Sequence, residues 1–225
     1  MATTEDAAWT KLVRVHLAAS PTAPIAKAEQ QALAASLQEW TAHCIWQHLT
    51  VLLKEHAEKA ALRRMEVSGW QIHHKGKDFL GAVRWQEVDV WIANPEAGLV
   101  LAVDPKHFQS RKSLDKNWKN GHNDLVAFAT NLHERFPVCA VGGVLVFPQW
   151  AASEQQRRQV HTICSRSIPR EKPLNAYGKF EGFGVGVYDT NGNLVWPFAS
   201  DSPLRPDKAF AALAQAVYAR TVASL

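Results

Sequence analysis

The chain has 225 residues, 47% of them hydrophobic and 20% charged, a composition that excludes a disordered or fibrous protein. Lys and Arg number 25 against 21 Asp and Glu, and the net charge of +4 permits a polyanionic partner without establishing one. No apolar stretch reaches the roughly 20 residues that a membrane-spanning helix needs, and residues 1–11 lack the features of a signal peptide. We therefore expect a cytoplasmic protein with no membrane partner.

The length favours one domain that spans residues 1–225. Cys44, Cys139 and Cys164 are widely spaced and form no CxxC pair, so we expect buried reduced thiols rather than disulfides or zinc ligands. The ten histidines form no HExxH motif, which also argues against a zinc site.

The first predicted element is a long helix, or two helices with a bend, because residues 25–66 contain neither Gly nor Pro and follow Pro24. Glu55 and Glu58 fall on its apolar stripe, where a helix that merely packs against a core would not place carboxylates. The residues that define the stripe recur at three- and four-residue steps or their sums: Leu33, Leu37, Trp40, Cys44, Val51 and Leu62.

Short β-like runs follow Gly69 and predict a meander over residues 70–73, 85–93 and 99–106, the last two joined by a turn-rich segment. We expect the tryptophans of this region and Trp196 to lie in the core. The remaining predicted elements are, in chain order, a helix over 123–136, a buried strand over 138–147, a helix over 149–166, a loop over 167–182, a hairpin of 184–188 and 194–198 around Asn191-Gly192, and a helix from Pro206.

Strand alternation places charged residues of the meander at one edge of the sheet. Glu87 and Asp89 share one face of their strand, and Asp104 and Lys106 project together from the next. The short turn brings Asp89 beside Asp104 in an antiparallel pair. Carboxylate oxygens of this kind suit Mg²⁺, which keeps several waters and accepts phosphate oxygens as further ligands.

A metal ion held by Asp89 and Asp104 can polarise a scissile phosphate and lower the pKa of a bound water. Lys106 can orient that water, take its proton or stabilise the charge that develops on the phosphate, and the sequence does not choose among these roles. The structural alternative is a surface hairpin whose charges form a salt bridge.

These residues resemble the pattern of the PD-(D/E)XK nuclease superfamily, in which an acidic residue on one strand is followed by (D/E)-x-K on the next. The matching residues are Asp89 and Asp104-Pro105-Lys106, which is the one Asp/Glu-x-Lys in the chain. The resemblance covers residues 29–147 and implies an α/β fold with an αβββαβ core, in which helices flank a mixed central sheet. Residues 149–225 then add a helix, a loop, a hairpin and a terminal helix.

The resemblance implies roles for further residues. In similar nucleases the backbone carbonyl of the middle residue helps to bind the metal, and Pro105 keeps this carbonyl. A proline has no N–H, however, so it removes one donor from the hydrogen bonds between strands. Relatives often add a glutamate from the first helix, a role that we assign to Glu55 in preference to Glu58. Whether Glu87 joins the site is left open.

The predicted function is therefore that of a Mg²⁺-dependent endonuclease for double-stranded DNA. Among similar proteins, a compact chain of this size looks most like a type II restriction endonuclease that acts as a homodimer. Repair, recombination and toxin nucleases of the superfamily, and a non-catalytic DNA-binding module, are the alternatives. Phosphate contacts are expected from Lys112, Lys116, Lys119, His122 and Asn123. A second basic cluster comprises Arg157, Arg158, Arg166, Arg170 and Lys172, although charge runs are also typical of solvated helix faces.

Overall fold

A mixed five-stranded sheet forms the centre of the protein, whose structure is a computed structural model that describes residues 3–17, 26–55, 71–95, 97–170, 176–195 and 199–222. The strand order is β3-β4-β5-β6-β7, in which β4, β5 and β6 are parallel and the two outer strands are antiparallel to their neighbours. The strands are β3 (Val90–Asn94), β4 (Gly98–His107), β5 (Ala140–Pro148), β6 (Gly182–Tyr188) and β7 (Leu194–Val195). A separate antiparallel ribbon consists of β1 (Lys77–Leu80) and β2 (Trp85–Val88).

Helices cover both faces of this sheet, which confirms the predicted α/β class. They are α1 (Thr4–Leu12), α2 (Lys27–Glu55), α3 (Arg111–Arg135), α4 (Glu154–Arg166) and α5 (Pro206–Val217), with short 3₁₀ segments at Arg14–His16 and Gln149–Ala151 and a π segment at Tyr218–Val222. Within the described ranges, no helix is long and apolar enough to cross a membrane.

Two hydrophobic clusters, one on each face, hold the helices to the sheet. Side chains of α1, α2 and α5 pack with Val90, Val103 and Val144 on one face. Side chains of α3 and α4 pack with Ala102 and Leu145 on the other. Every residue of β5 is buried, as expected for a central parallel strand covered on both sides. The three cysteines are buried and free, as predicted.

The buried stripe of α2 differs from the predicted one in its second half. Leu33, Leu37, Trp40 and Cys44 are buried as expected, but Val51 is 52% exposed, and Ile45, Leu49 and Leu53 are buried instead. The stripe that carried Glu55 in the sequence is therefore not the buried stripe at this end of the helix. Glu58 and the side chain of Glu55 lie outside the described residues.

Helix α3 begins twelve residues before its predicted start. Ser110 caps it by accepting a hydrogen bond from the Ser113 backbone, a pattern typical of helix starts. Gly121 interrupts the sequence pattern but lies inside the helix. A residue without a side chain fits this position because the Phe108 ring lies 2.9 Å from the place that a Cβ would take. A side chain there would keep α3 away from the end of β4.

The predicted strand over 85–93 is broken at Asp89. Val88 belongs to the cluster under α3 and Val90 to the cluster under α2, so the chain crosses from the ribbon into the main sheet at this residue. The strand predicted over 70–73 is reduced, within the described residues, to one bridge between His73 and Trp91. Trp85 is 67% exposed rather than buried. The turn of the ribbon is hydrogen-bonded to Asn131 of α3, but the Trp85 side chain stays in solvent. Trp196 lies outside the described residues.

Other elements agree with the sequence more closely. Gly98 and Gly192 adopt positive φ angles of 67° and 76° in the two predicted hairpin turns. The terminal helix begins at Pro206, which occupies its first turn. Helix α1 was not predicted, although Thr3 and Asp6 form a capping box at its start.

A glycine of β6 allows α5 to pack directly on the sheet. A Cβ on Gly182 would lie 2.4 Å from the Ala209 carbonyl oxygen and 2.9 Å from Leu213. A Cβ on Gly184 would meet its nearest neighbour, the Cβ of Ala209, at 3.6 Å, an ordinary van der Waals distance. The close approach of helix backbone to strand is therefore concentrated at Gly182.

These two glycines form a matched test of this packing. We expect Gly182→Ala to lower the free energy of unfolding by about 1–3 kcal/mol, because backbone must move to admit the methyl group. Gly184→Ala should stay within about 1 kcal/mol of the parent protein. Urea unfolding of both variants measures the difference, and equal losses would contradict a close contact confined to Gly182.

Candidate functional site

The end of β4 extends past the start of its antiparallel neighbour. The register of β3 begins with Val90 opposite Val103, whereas β4 continues beside β5 until His107 pairs with Val146. Among the described residues, positions 104–107 therefore have a strand partner on the β5 side alone. This free edge explains why Pro105, which has no N–H to donate, is tolerated inside a central strand.

Asp104 and Lys106 project from this extension towards α3. Ala102 belongs to the cluster under α3 and α4, and residues two and four positions further along a strand face the same side. Asp104 is 7% exposed, and its Oδ2 lies 2.7 Å from the Lys106 ammonium. Its Oδ1 is buried without a hydrogen-bond partner among the described residues. One oxygen of a buried carboxylate is thus left for a further ligand.

Asp89 lies beside Asp104, as the sequence predicted, because it immediately precedes Val90 at the free edge. Burial raises the pKa of the Asp104 carboxyl to about 7, and the neighbouring Asp89 carboxylate adds to this, although the Lys106 ammonium opposes it. Burial alone would lower the pKa of Lys106, but three carboxylates, Asp104, Asp89 and Asp124, raise it overall. Lys106 is therefore a stable cation in this arrangement.

Asp124 is the residue of the site that the sequence analysis missed. It lies on α3, and its charge acts on Lys106. The signal that could have identified it is Gly121, one turn earlier, which lets α3 approach Phe108 directly after the end of β4. A carboxylate one turn after a close-packed glycine reaches the same end of the strand.

The structure does not bring Glu87 into this group. Glu87 is exposed on β2, in the ribbon, because the break at Asp89 separates it from the main sheet. Helix α2 packs on the sheet face opposite to the one from which Asp104 and Lys106 project. The assignment of Glu55 remains a prediction, since its side chain is not among those described.

The two neighbouring carboxylates fit a hard divalent cation. Within the described part of the chain, no group of three or more His, Cys, Asp or Glu side chains could hold a metal ion. A site of this kind would take its other ligands from water and substrate, as Mg²⁺ commonly does. The unpartnered Oδ1 of Asp104 and its proximity to Asp89 are the features that support such a cation, because it would relieve both the missing contact and the repulsion.

Four of the five predicted phosphate contacts share one face of α3. The four residues are exposed and recur at steps of four, three and four along the helix. We call them the α3 stripe: Lys112, Lys116, Lys119 and Asn123. His122 is only 8% exposed. Its Nε2 lies 3.0 Å from the Ser167 hydroxyl oxygen, and its ring lies against the Phe183 ring. The structure therefore places His122 in the core between α3 and the loop after α4, away from the exposed stripe.

Comparisons of the chain with protein-family models, with curated proteins and with solved structures found no match.

The buried Asp104 should make the metal-free protein less stable as the pH rises. A carboxyl whose pKa is higher in the folded than in the unfolded state binds more protons when folded, so the free energy of unfolding falls between about pH 4 and 7. We expect Asp104→Asn to remove this loss and to exceed the parent in stability at pH 8 by roughly 1–3 kcal/mol, with no gain at pH 4.

Urea unfolding in EDTA across this pH range measures the effect. Asp78→Asn, which removes an exposed carboxylate from β1, is the control and should leave the difference from the parent constant with pH. A constant difference for Asp104→Asn as well would show that Asp104 is not held in a costly charged state.

Proposed function

We propose that the protein is a Mg²⁺-dependent endonuclease of the PD-(D/E)XK kind that hydrolyses phosphodiester bonds in double-stranded DNA. The observation that carries this proposal is the Asp104 carboxylate, buried beside Asp89, with one oxygen paired to Lys106 and the other without a partner. A buried carboxylate with an unpartnered oxygen at the carboxyl end of a strand is more typical of a reaction site than of a structural ion pair.

Each residue of the group has a distinct part in this proposal. Asp89 and Asp104 would hold the cation, with the Pro105 carbonyl as a further ligand by resemblance to the superfamily. A cation bound there supplies Lewis acidity to a phosphate oxygen and acidity to a bound water. Because neighbouring carboxylates raise its pKa, Lys106 serves as a charged donor that orients the phosphate and stabilises developing negative charge, rather than as a base.

The order of elements supports the superfamily as the finer description of the fold. Helix α2 precedes the strands, and the β1-β2 ribbon comes before the main sheet. Asp89 immediately precedes β3, Asp104-Pro105-Lys106 lies in β4, and α3 connects β4 to the parallel strand β5. The α3 stripe starts at Lys112, in the first turn of α3, and β4 ends at His107. Exposed lysines and an amide in this position are suited to contacts with DNA phosphates, which fix the position of the duplex without reading its sequence.

Cleavage should depend on the site residues and on the metal. We expect Asp104→Asn and Lys106→Ala each to reduce the rate of plasmid cleavage about 100-fold or more, since each removes a charge that acts on the reacting phosphate. Chelation by EDTA should abolish cleavage, and added Mg²⁺ should restore it. Asp124→Asn should have a smaller effect, because Asp124 acts through Lys106.

Glu134→Gln is the control, since it removes an exposed carboxylate from the same helix about three turns beyond Asp124. DNA binding, measured in parallel by fluorescence anisotropy in EDTA, should persist in the inactive variants. Cleavage by Asp104→Asn or Lys106→Ala at close to the parent rate would refute the assignment of the site.

A type II restriction endonuclease is the form of the activity that we propose, acting as a homodimer. A twofold dimer presents identical sites to the two strands and favours palindromic targets. Incubation with Mg²⁺ and several unmethylated plasmids should yield discrete fragments whose ends map to one short sequence, because each base-edge contact contributes about 1–3 kcal/mol of discrimination. A smear, or cleavage confined to branched or single-stranded DNA, would instead favour a toxin or repair nuclease.

A further inference from the structure

A second polar feature lies on the other flank of α3, in the groove that this helix forms with α4. The groove has a volume of about 450 Å³ and is lined by Lys119, Gln155, Arg158, Gln159, Thr162 and Ile163. None of these residues is acidic or aromatic. The groove shares Lys119 with the α3 stripe, so the two surfaces are continuous.

The side of α4 that lines the groove is patterned like the α3 stripe. Gln155, Gln159, Thr162 and Arg166 are exposed and follow the same steps of four, three and four residues. All four side chains can donate hydrogen bonds. Two acids of α3 and α4 are already bonded within the protein: Asp115 accepts a hydrogen bond from the Gln156 amide, and Glu154 accepts one from Arg158. The groove therefore offers donors and positive charge to an anion.

Lys119 and Asp124 lie on different flanks of the same helix. They are five residues apart, which at 3.6 residues per turn separates them by about 140° around α3. Asp124 is on the side of Lys106, and Lys119 is on the side of α4. A helix with its side chains is about 10–12 Å across, and nucleotides follow one another at about 3.4 Å along a duplex, so about three or four nucleotides span this distance.

We propose that the groove between α3 and α4 binds the phosphodiester backbone of DNA a few nucleotides from the bond that the Asp104 site cleaves. The inference rests on the proposed function for the identity of the substrate. Lysine, arginine, glutamine and threonine are the side chains that proteins commonly use for DNA phosphates, and the absence of rings among the lining residues argues against base stacking there. The groove thus adds affinity and orientation without taking part in the chemistry.

Charge changes at the exposed Lys119 and Gln159 test the groove without disturbing the fold. Gln159→Glu places a negative charge in it and should weaken binding of a labelled 20-base-pair duplex about five- to tenfold in EDTA at low salt. Gln159→Lys should strengthen binding about two- to threefold, and Lys119→Gln should reduce the slope of log affinity against log salt by about one. Gln215→Glu is the matched control, because Gln215 is exposed on α5, which packs on the opposite face of the sheet.

The outcomes separate this inference from the proposed function. If the parent protein neither binds nor cleaves DNA, both fail together. If the parent binds and cleaves but Gln159→Glu and Gln159→Lys both behave like Gln215→Glu, the groove inference is overturned and the proposed function stands. Thermal melts that match the parent establish that the variants are folded. Inorganic phosphate at matched ionic strength should not displace the duplex, and displacement by it would overturn the proposal in favour of a small-anion site.

Discussion

The site depends on the difference in length between β4 and its antiparallel partner β3. Four residues of β4, from Asp104 to His107, continue beside β5 after the register with β3 has ended. Because both faces of β5 are covered by helices, the parallel pair holds this extension firmly while its other edge stays open. The open edge accommodates Pro105, brings Asp89 beside Asp104 and leaves one carboxylate oxygen unsatisfied. A longer β3 would have paired this edge and closed it to a ligand.

Glu181 and Asp104 are both buried carboxylates, but their charges are compensated to different degrees. Glu181, at the start of β6, lies within 3.1 Å of Arg170 and Arg220 and accepts a hydrogen bond from the Val141 backbone at 2.7 Å. Although burial would raise the pKa of Glu181, hydrogen bonds and charges from His133, Val141 and Arg220 lower it. Burial raises the pKa of Asp104, whose one neighbouring cation, Lys106, also interacts with Asp89 and Asp124. The Glu181 cluster holds the loop of Arg170 and the last helical segment, which carries Arg220, to the sheet. The Asp104 group keeps an excess of carboxylates over cations, which a bound cation could neutralise.

The parts of the fold that were predicted correctly rest on local rules. Alternation along a strand was enough to place Asp104 and Lys106 on one side, and turn chemistry was enough to identify the turns at Gly98 and Gly192. The errors arose where distant contacts decide the outcome. Gly121 belongs inside a helix because Phe108 packs against it, and the strand breaks at Asp89 because two sheets meet there. For the same reason Asp124 was missed, since its relation to Lys106 exists only once α3 has packed on the sheet.

In the proposed nuclease, helix α3 would link the candidate site to DNA binding, because its sides face different neighbours. One flank places Asp124 near Lys106, and the outer side carries the α3 stripe. Lys119, at the edge of this stripe, also lines the groove with α4. The apolar side of α3 fixes these surfaces to the sheet through Leu125 and Phe128. A rigid helix cannot move one of these surfaces without moving the others, so the DNA backbone held along the stripe and groove would also be held at a set distance from Asp104. Positioning of this kind lets contacts that do no chemistry contribute to the rate, because they hold the scissile phosphate where the charges of the site can act on it.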